Sequence, residues 1–65
     1  MSVEDCFELG YQAYQLEEYE FATVWMNQTI SMLETEPNDP LMSRALDIYA
    51  DSSYQKGNSK LRGNI

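Results

Sequence analysis

The sequence predicts an all-α fold, a helical hairpin followed by a third helix. Three observations carry that reading. Apolar residues recur at three- and four-residue intervals in three stretches, turn residues separate the stretches, and capping residues stand where helices should begin. Sixty-five residues make at most one small domain, near the lower size at which a core supports itself. Hydrophobic content of 43% opposes disorder, although a net charge of −7 pulls the other way.

The first helix is predicted over 3–15. Ser2-Val3-Glu4-Asp5 reads as a capping box, a hydroxyl followed three residues later by a carboxylate. Val3, Cys6, Phe7, Gly10, Ala13 and Tyr14 then form one helical face, with Gly10 as the small residue where two helices must touch. A turn falls at Gln15–Glu18. The second helix is predicted over 18–34, with Ala22, Met26, Thr29, Ile30 and Leu33 as its stripe. Glu18 and Glu20 sit near its positive dipole end.

Glu36-Pro37-Asn38-Asp39-Pro40 breaks the chain, and Asp39-Pro40 restarts it as a cap followed by proline in the first helical position. The third helix is predicted over 40–55, on a stripe of Met42, Ala45, Leu46, Tyr49, Ala50 and Ser53, with Gly57-Asn58 closing it. Ser59–Arg62 could open a fourth helix, but Gly63 follows within two turns, so the second hairpin is expected to be incomplete. The chain divides accordingly into a domain over 1–58 and a short tail over 59–65.

Several function classes are disfavoured. Every acid before Arg44 comes without a single Lys or Arg, and the bases Arg44, Lys56, Lys60 and Arg62 follow; the acidic half repels phosphate backbones, so no nucleic-acid partner is expected. No run approaches the ~18 apolar residues of a membrane span, and the first residues do not form a signal peptide. Cys6 reads as a small core residue. With no histidine there is no imidazole for a nucleophile–base pair or a soft metal site. Neither a calcium loop nor a glycine-rich phosphate loop is present. The chain is expected not to be an enzyme by itself and to hold no cofactor or metal. Asn27-Gln28-Thr29 is a glycosylation sequon within the second helix, a placement that suits chance occurrence; occupied, it would require the secretory pathway.

A weak repeat appears at a shift of 40. Cys6, Leu9, Gly10, Ala13 and Tyr14 fall on Leu46, Tyr49, Ala50, Ser53 and Tyr54, with size class kept. This resembles the tetratricopeptide pattern, an apolar residue and two spacers before Leu-Gly, with Ala22 at the small position of the second helix. That period is about 34 residues, so Thr35–Asp39 reads as an insertion.

The residues go further than the repeat. Glu4-Asp5-Cys6-Phe7-Glu8-Leu9-Gly10, Ala13-Tyr14, Trp25-Met26 with Gln28, Leu46-Asp47, and Tyr54-Gln55 with Gly57 resemble the peptide-substrate-binding domain of the collagen prolyl 4-hydroxylase α subunit. The resemblance runs from Glu4 to Asn58. It implies a tetratricopeptide-like bundle that holds proline-rich procollagen segments, here in truncated form. A separate domain of those enzymes performs the hydroxylation with iron, 2-oxoglutarate and ascorbate. It further implies the endoplasmic reticulum lumen, with protein disulfide isomerase as partner subunit of a full-length enzyme.

On such a hairpin the concave face is built from Phe7, Tyr11, Tyr14 and Gln15 and from Arg44, Asp47, Asp51, Tyr54 and Gln55. Tyr14, Tyr54 and Asp47 match the family's binding residues, and Tyr11 joins them by spacing. Tyrosine rings suit a polyproline II ligand, whose rings stack on aromatics and whose free carbonyls accept hydrogen bonds. The same tyrosines could instead fill space between helices with their hydroxyls in water. Two places depart from the family: its third-helix tyrosines are replaced by Ile48 and Asp51, and the later helix that completes its groove does not follow. Tyr49, one step from Ile48, is predicted to face the core. A general helical interaction module, or a decayed fragment without ligand, remain the alternatives.

Overall fold

A computed structural model describes residues 2–36 and 38–63. It contains three helices and, among those residues, no strand: α1 (Val3–Gln15), α2 (Tyr19–Met32) and α3 (Pro40–Gly63). The arrangement is all-α and tetratricopeptide-like, a hairpin of α1 and α2 with α3 laid against α2. α2 is the shared wall, packing broadly on both neighbours, whereas α1 and α3 touch at few points.

Two of the three helices start on a side-chain cap. Ser2 is extended (φ −82°, ψ 161°), and its Oγ accepts the Asp5 amide at 3.3 Å, capping α1. Such a cap contributes about 1 kcal/mol. Asp39 does the same for α3, its Oδ1 accepting the Leu41 amide at 2.9 Å while Pro40 occupies the first helical position. α2 starts without a side-chain cap.

α1 ends in a Schellman turn: the Glu18 amide donates to the Ala13 carbonyl at 2.8 Å and the Glu17 amide to the Tyr14 carbonyl at 3.1 Å. The motif needs a left-handed residue, and Glu17 supplies it at φ 61°, where glycine is usual. The turn is thus tight enough that α2 folds straight back onto α1.

The core is small. Cys6, Phe7, Ala13, Ala22, Met26, Leu33 and Ala45 are buried, and Phe7, Met26 and Ala45 form a cluster on which Tyr11, Ile30, Leu41, Ile48 and Tyr49 pack. Gly10 lets α1 and α2 approach: a Cβ there would lie 2.9 Å from Met26 Cε and 3.0 Å from Trp25 Cβ. Thr29 is fully buried, and its hydroxyl donates to the Trp25 carbonyl at 2.9 Å. Ser52 is as deeply buried, but its hydroxyl has no partner among the described residues.

Two expectations for α3 need correction. The helix does not close at Gly57-Asn58 but continues to Gly63, since Gly57 keeps ordinary helical geometry and nothing crowds it. Ser59–Arg62 therefore opens no fourth helix; it prolongs the third. The expected stripe is also rotated. Leu41, Ala45, Ile48 and Ser52 face the hairpin, whereas Leu46, Ala50 and Ser53 are exposed. Met42 and Tyr49, on the border of the two faces, are half-buried. The rotation follows from α3 having a neighbour on one side only. At 24 residues α3 spans about 36 Å, and it gives the molecule its longest extent of 42 Å.

Candidate functional site

The candidate site lies along the edge where α1 and α3 approach. Phe7, Tyr11 and Tyr14 are spaced by four and three residues, so they share one face of α1. Arg44, Ile48 and Asp51 repeat the spacing on α3 and come to meet them. The two rows are brought together by α2, which sets the distance between the helices it separates.

Three contacts define the geometry. The Phe7 and Tyr11 rings stack with centroids 6.1 Å apart and planes 8° from parallel. The Arg44 guanidinium carbon lies 4.9 Å from the Phe7 ring centroid, a cation–π contact. The Tyr14 hydroxyl donates to an Asp51 carboxylate oxygen, and its ring meets Tyr19 edge-on at 6.0 Å. The Asp51 hydrogen bond, then burial and the Asp51 charge, push the Tyr14 pKa above its ordinary value of 10.0.

Among the residues singled out from the sequence, Tyr11 and Tyr14 lie side by side, both half-buried. Asp47 is exposed and Tyr54 is 69% exposed, whereas the hydrogen-bond and ring partners of Tyr14 among the described residues are Asp51 and Tyr19. Tyr54 stands about 180° around α3 from the buried Ala45, on the side turned away from the core. Gln15 is exposed and Gln55 half-buried.

Sequence reasoning places Arg44 and Asp51 on the concave face but gives neither a contact; in the fold Arg44 lies over the Phe7 ring and Asp51 is the acceptor for Tyr14. The available signal was their seven-residue separation, which puts both on the face of α3 that opposes α1.

A second depression lies on the other side of α3. Thr23, Val24 and Asn27 of α2 and Tyr49, Ser53 and Lys56 of α3 line an open groove of about 250 Å³. Its α3 residues Tyr49 and Ser53 stand about 160° around the helix from Asp51, so the groove and the aromatic edge do not merge.

Among the described residues no helix is long and apolar enough to cross a membrane, and no three His, Cys, Asp or Glu side chains gather as a metal site. The family model for the prolyl 4-hydroxylase peptide-substrate-binding domain matches residues 3–62, nearly the whole chain. No curated protein and no solved structure matches. An iron site built on two histidines and a carboxylate does not fit a sequence that has no histidine.

Proposed function

Because this chain belongs to the prolyl 4-hydroxylase peptide-substrate-binding family, we propose that its α1–α3 edge holds a proline-rich, procollagen-type peptide and does no chemistry itself. The observation that carries the reading is the Phe7–Tyr11–Tyr14 row facing Arg44. A polyproline II ligand makes no internal hydrogen bonds, so it offers bare carbonyls and flat pyrrolidine faces. Tyr11 presents its ring and a hydroxyl that has no acceptor among the described residues. Arg44 is exposed and unpaired among those residues, so its remaining N–H groups are free to donate to peptide carbonyls.

Tyr14 has a different part. Its proton is committed to Asp51, so it offers the ligand a ring held in place rather than a donor. Tyr54 and Asp47 stand at the outer margin, where a longer peptide reaches them. Ile48 and Asp51 take the place of two stacking rings, each worth about 0.5–1.5 kcal/mol. Affinity is therefore millimolar, about −4 kcal/mol. In this reading the bound prolines are hydroxylated by a separate catalytic domain, in the endoplasmic reticulum lumen, with protein disulfide isomerase as the partner subunit of the complete enzyme.

A (Pro-Pro-Gly) repeat peptide titrated against the labelled chain, with amide shifts as readout, tests it. The expected result is saturable millimolar shifts centred on Phe7, Tyr11, Tyr14 and Arg44, reduced by Arg44→Ala. Micromolar affinity would contradict the weight given to Ile48 and Asp51. Absence of any shift at saturating peptide would reject peptide binding at this edge.

A further inference from the structure

The sequon is left unused by the peptide-binding reading, and the fold divides its two chemical groups. Asn27 is exposed on α2 and opens onto the groove beside Tyr49, Ser53 and Lys56. Thr29, two residues on, is fully buried, and its hydroxyl is bound to the Trp25 carbonyl. The sequon is defined by that hydroxyl as well as by the asparagine amide. A transferase meeting the folded helix therefore reaches the nucleophile but not the group that marks it.

We propose that Asn27 is an N-glycosylation acceptor that only the unfolded chain can offer, and that folding of α2 closes the site by burying Thr29. The proposal rests on the secretory setting of the reading above. In the transfer the Asn27 side-chain nitrogen attacks the first sugar carbon of a lipid-diphosphate oligosaccharide. The new N–C bond forms as the C–O bond to the diphosphate breaks. The lipid diphosphate leaves with that electron pair, and the amide gives up one proton to solvent.

The finished glycan is compatible with the native fold because its attachment point is exposed. Its first sugar stands over the α2–α3 groove, where Val24 is 60% exposed and Tyr49 half-buried. The groove faces away from Tyr14 and Asp51, so the glycan leaves the aromatic edge open.

The test compares two presentations of the full chain. In one, the chain is translated with a cleavable signal peptide into microsomes, where it meets the transferase before folding. In the other, the purified folded chain is mixed with detergent-solubilised microsomes and lipid-linked oligosaccharide. The expected result is one endoglycosidase-sensitive glycan in the first arm and at least about tenfold slower modification in the second, because only the small unfolded population reacts. Asn27→Gln and Thr29→Ala should each abolish it; Thr29→Ser, which keeps a hydroxyl, should retain it. No glycan in the first arm overturns the acceptor assignment, and equal rates in both arms overturn closure by folding. The signal peptide supplies the compartment, so a failed peptide titration leaves this outcome untouched, and the reverse.

Discussion

Tyr14 and Asp51 are 37 residues apart in the chain, yet a single hydrogen bond from hydroxyl to carboxylate joins them. Among the described residues it is the side-chain hydrogen bond that ties α1 to α3. A bond to a charged acceptor contributes about 1.5–3 kcal/mol when buried, and this half-exposed one about 1–2 kcal/mol. Tyr14→Phe, Asp51→Ala and the double variant form a cycle whose urea-unfolding free energies should show coupling of that size. Strict additivity would mean the two groups do not interact in solution.

The same bond sets a pH dependence. The Tyr14 pKa is raised above 10.0 in the folded state, so the native protein holds this proton more tightly than the unfolded chain. The stability it brings is fully present below pH 10 and is lost as pH rises through the raised value. Melting temperature should therefore fall above pH 10 more steeply for the parent chain than for Tyr14→Phe. Parallel curves would remove Tyr14 from the account.

Gly10 and Gly57 should respond oppositely to substitution. Gly10→Leu forces a branched side chain against Trp25 Cβ and Met26, and overpacking of this kind costs about 1–3 kcal/mol. Gly57→Ala meets nothing within 4 Å and removes backbone freedom from the unfolded chain, so it should stabilise by about 0.5–1 kcal/mol. Thermal denaturation of the two variants, followed by circular dichroism, distinguishes a contact glycine from a merely tolerated one.

Glu17 carries the left-handed turn between α1 and α2 with a side chain that disfavours it. The conformation costs a residue with a Cβ about 1–2 kcal/mol, part of which glycine returns as unfolded-state entropy. Glu17→Gly should raise stability by roughly 0.5–1 kcal/mol without moving either helix. A lower denaturation midpoint with unchanged amide shifts would show that Glu17 contributes something the turn geometry does not reveal.

Ser52 invites a similar improvement. Its hydroxyl is buried with no partner among the described residues, and an unsatisfied buried group costs about 1–3 kcal/mol. Ser52→Ala removes the hydroxyl, keeps the small size and favours the helix. It should stabilise by about 1 kcal/mol in urea denaturation, and a loss instead would imply a hydrogen bond not present in this structure.

The hairpin was legible because its signals are local. Ser2, Gly10, Asp39 and Pro40 each act within a turn of themselves or on the next helix, and their roles in the fold match what their spacing implies. The phase of α3 was not legible. The predicted stripe of Met42, Ala45, Leu46, Tyr49, Ala50 and Ser53 and the observed one of Leu41, Ala45, Ile48 and Ser52 share Ala45 and lie about one residue apart around the helix. Apolar residues at 41, 42, 45, 46, 48 and 49 leave spacing alone unable to choose between them. A neighbour on one side only, which no local pattern announces, decides between them. The helix passes Gly57 for a related reason, since a glycine with helical φ is a weak stop unless the next residue turns away. At the candidate site, Tyr11 and Tyr14 could be placed on one face by spacing, but the pairing of Tyr14 with Asp51 crosses two turns and a whole helix. No short-range rule reaches that far.

Having α2 as the shared wall governs how the chain finds its fold. Each large interface joins helices adjacent in sequence, so each forms by closing only a short loop, and closure entropy grows slowly with length. Low contact order of this kind belongs to chains that fold in microseconds to milliseconds. The α1–α3 link, with the longest loop to close, has little to gain until both α2 interfaces exist. It belongs on the native side of the transition state. Cutting the Tyr14–Asp51 bond should then hasten unfolding and leave the folding rate almost untouched.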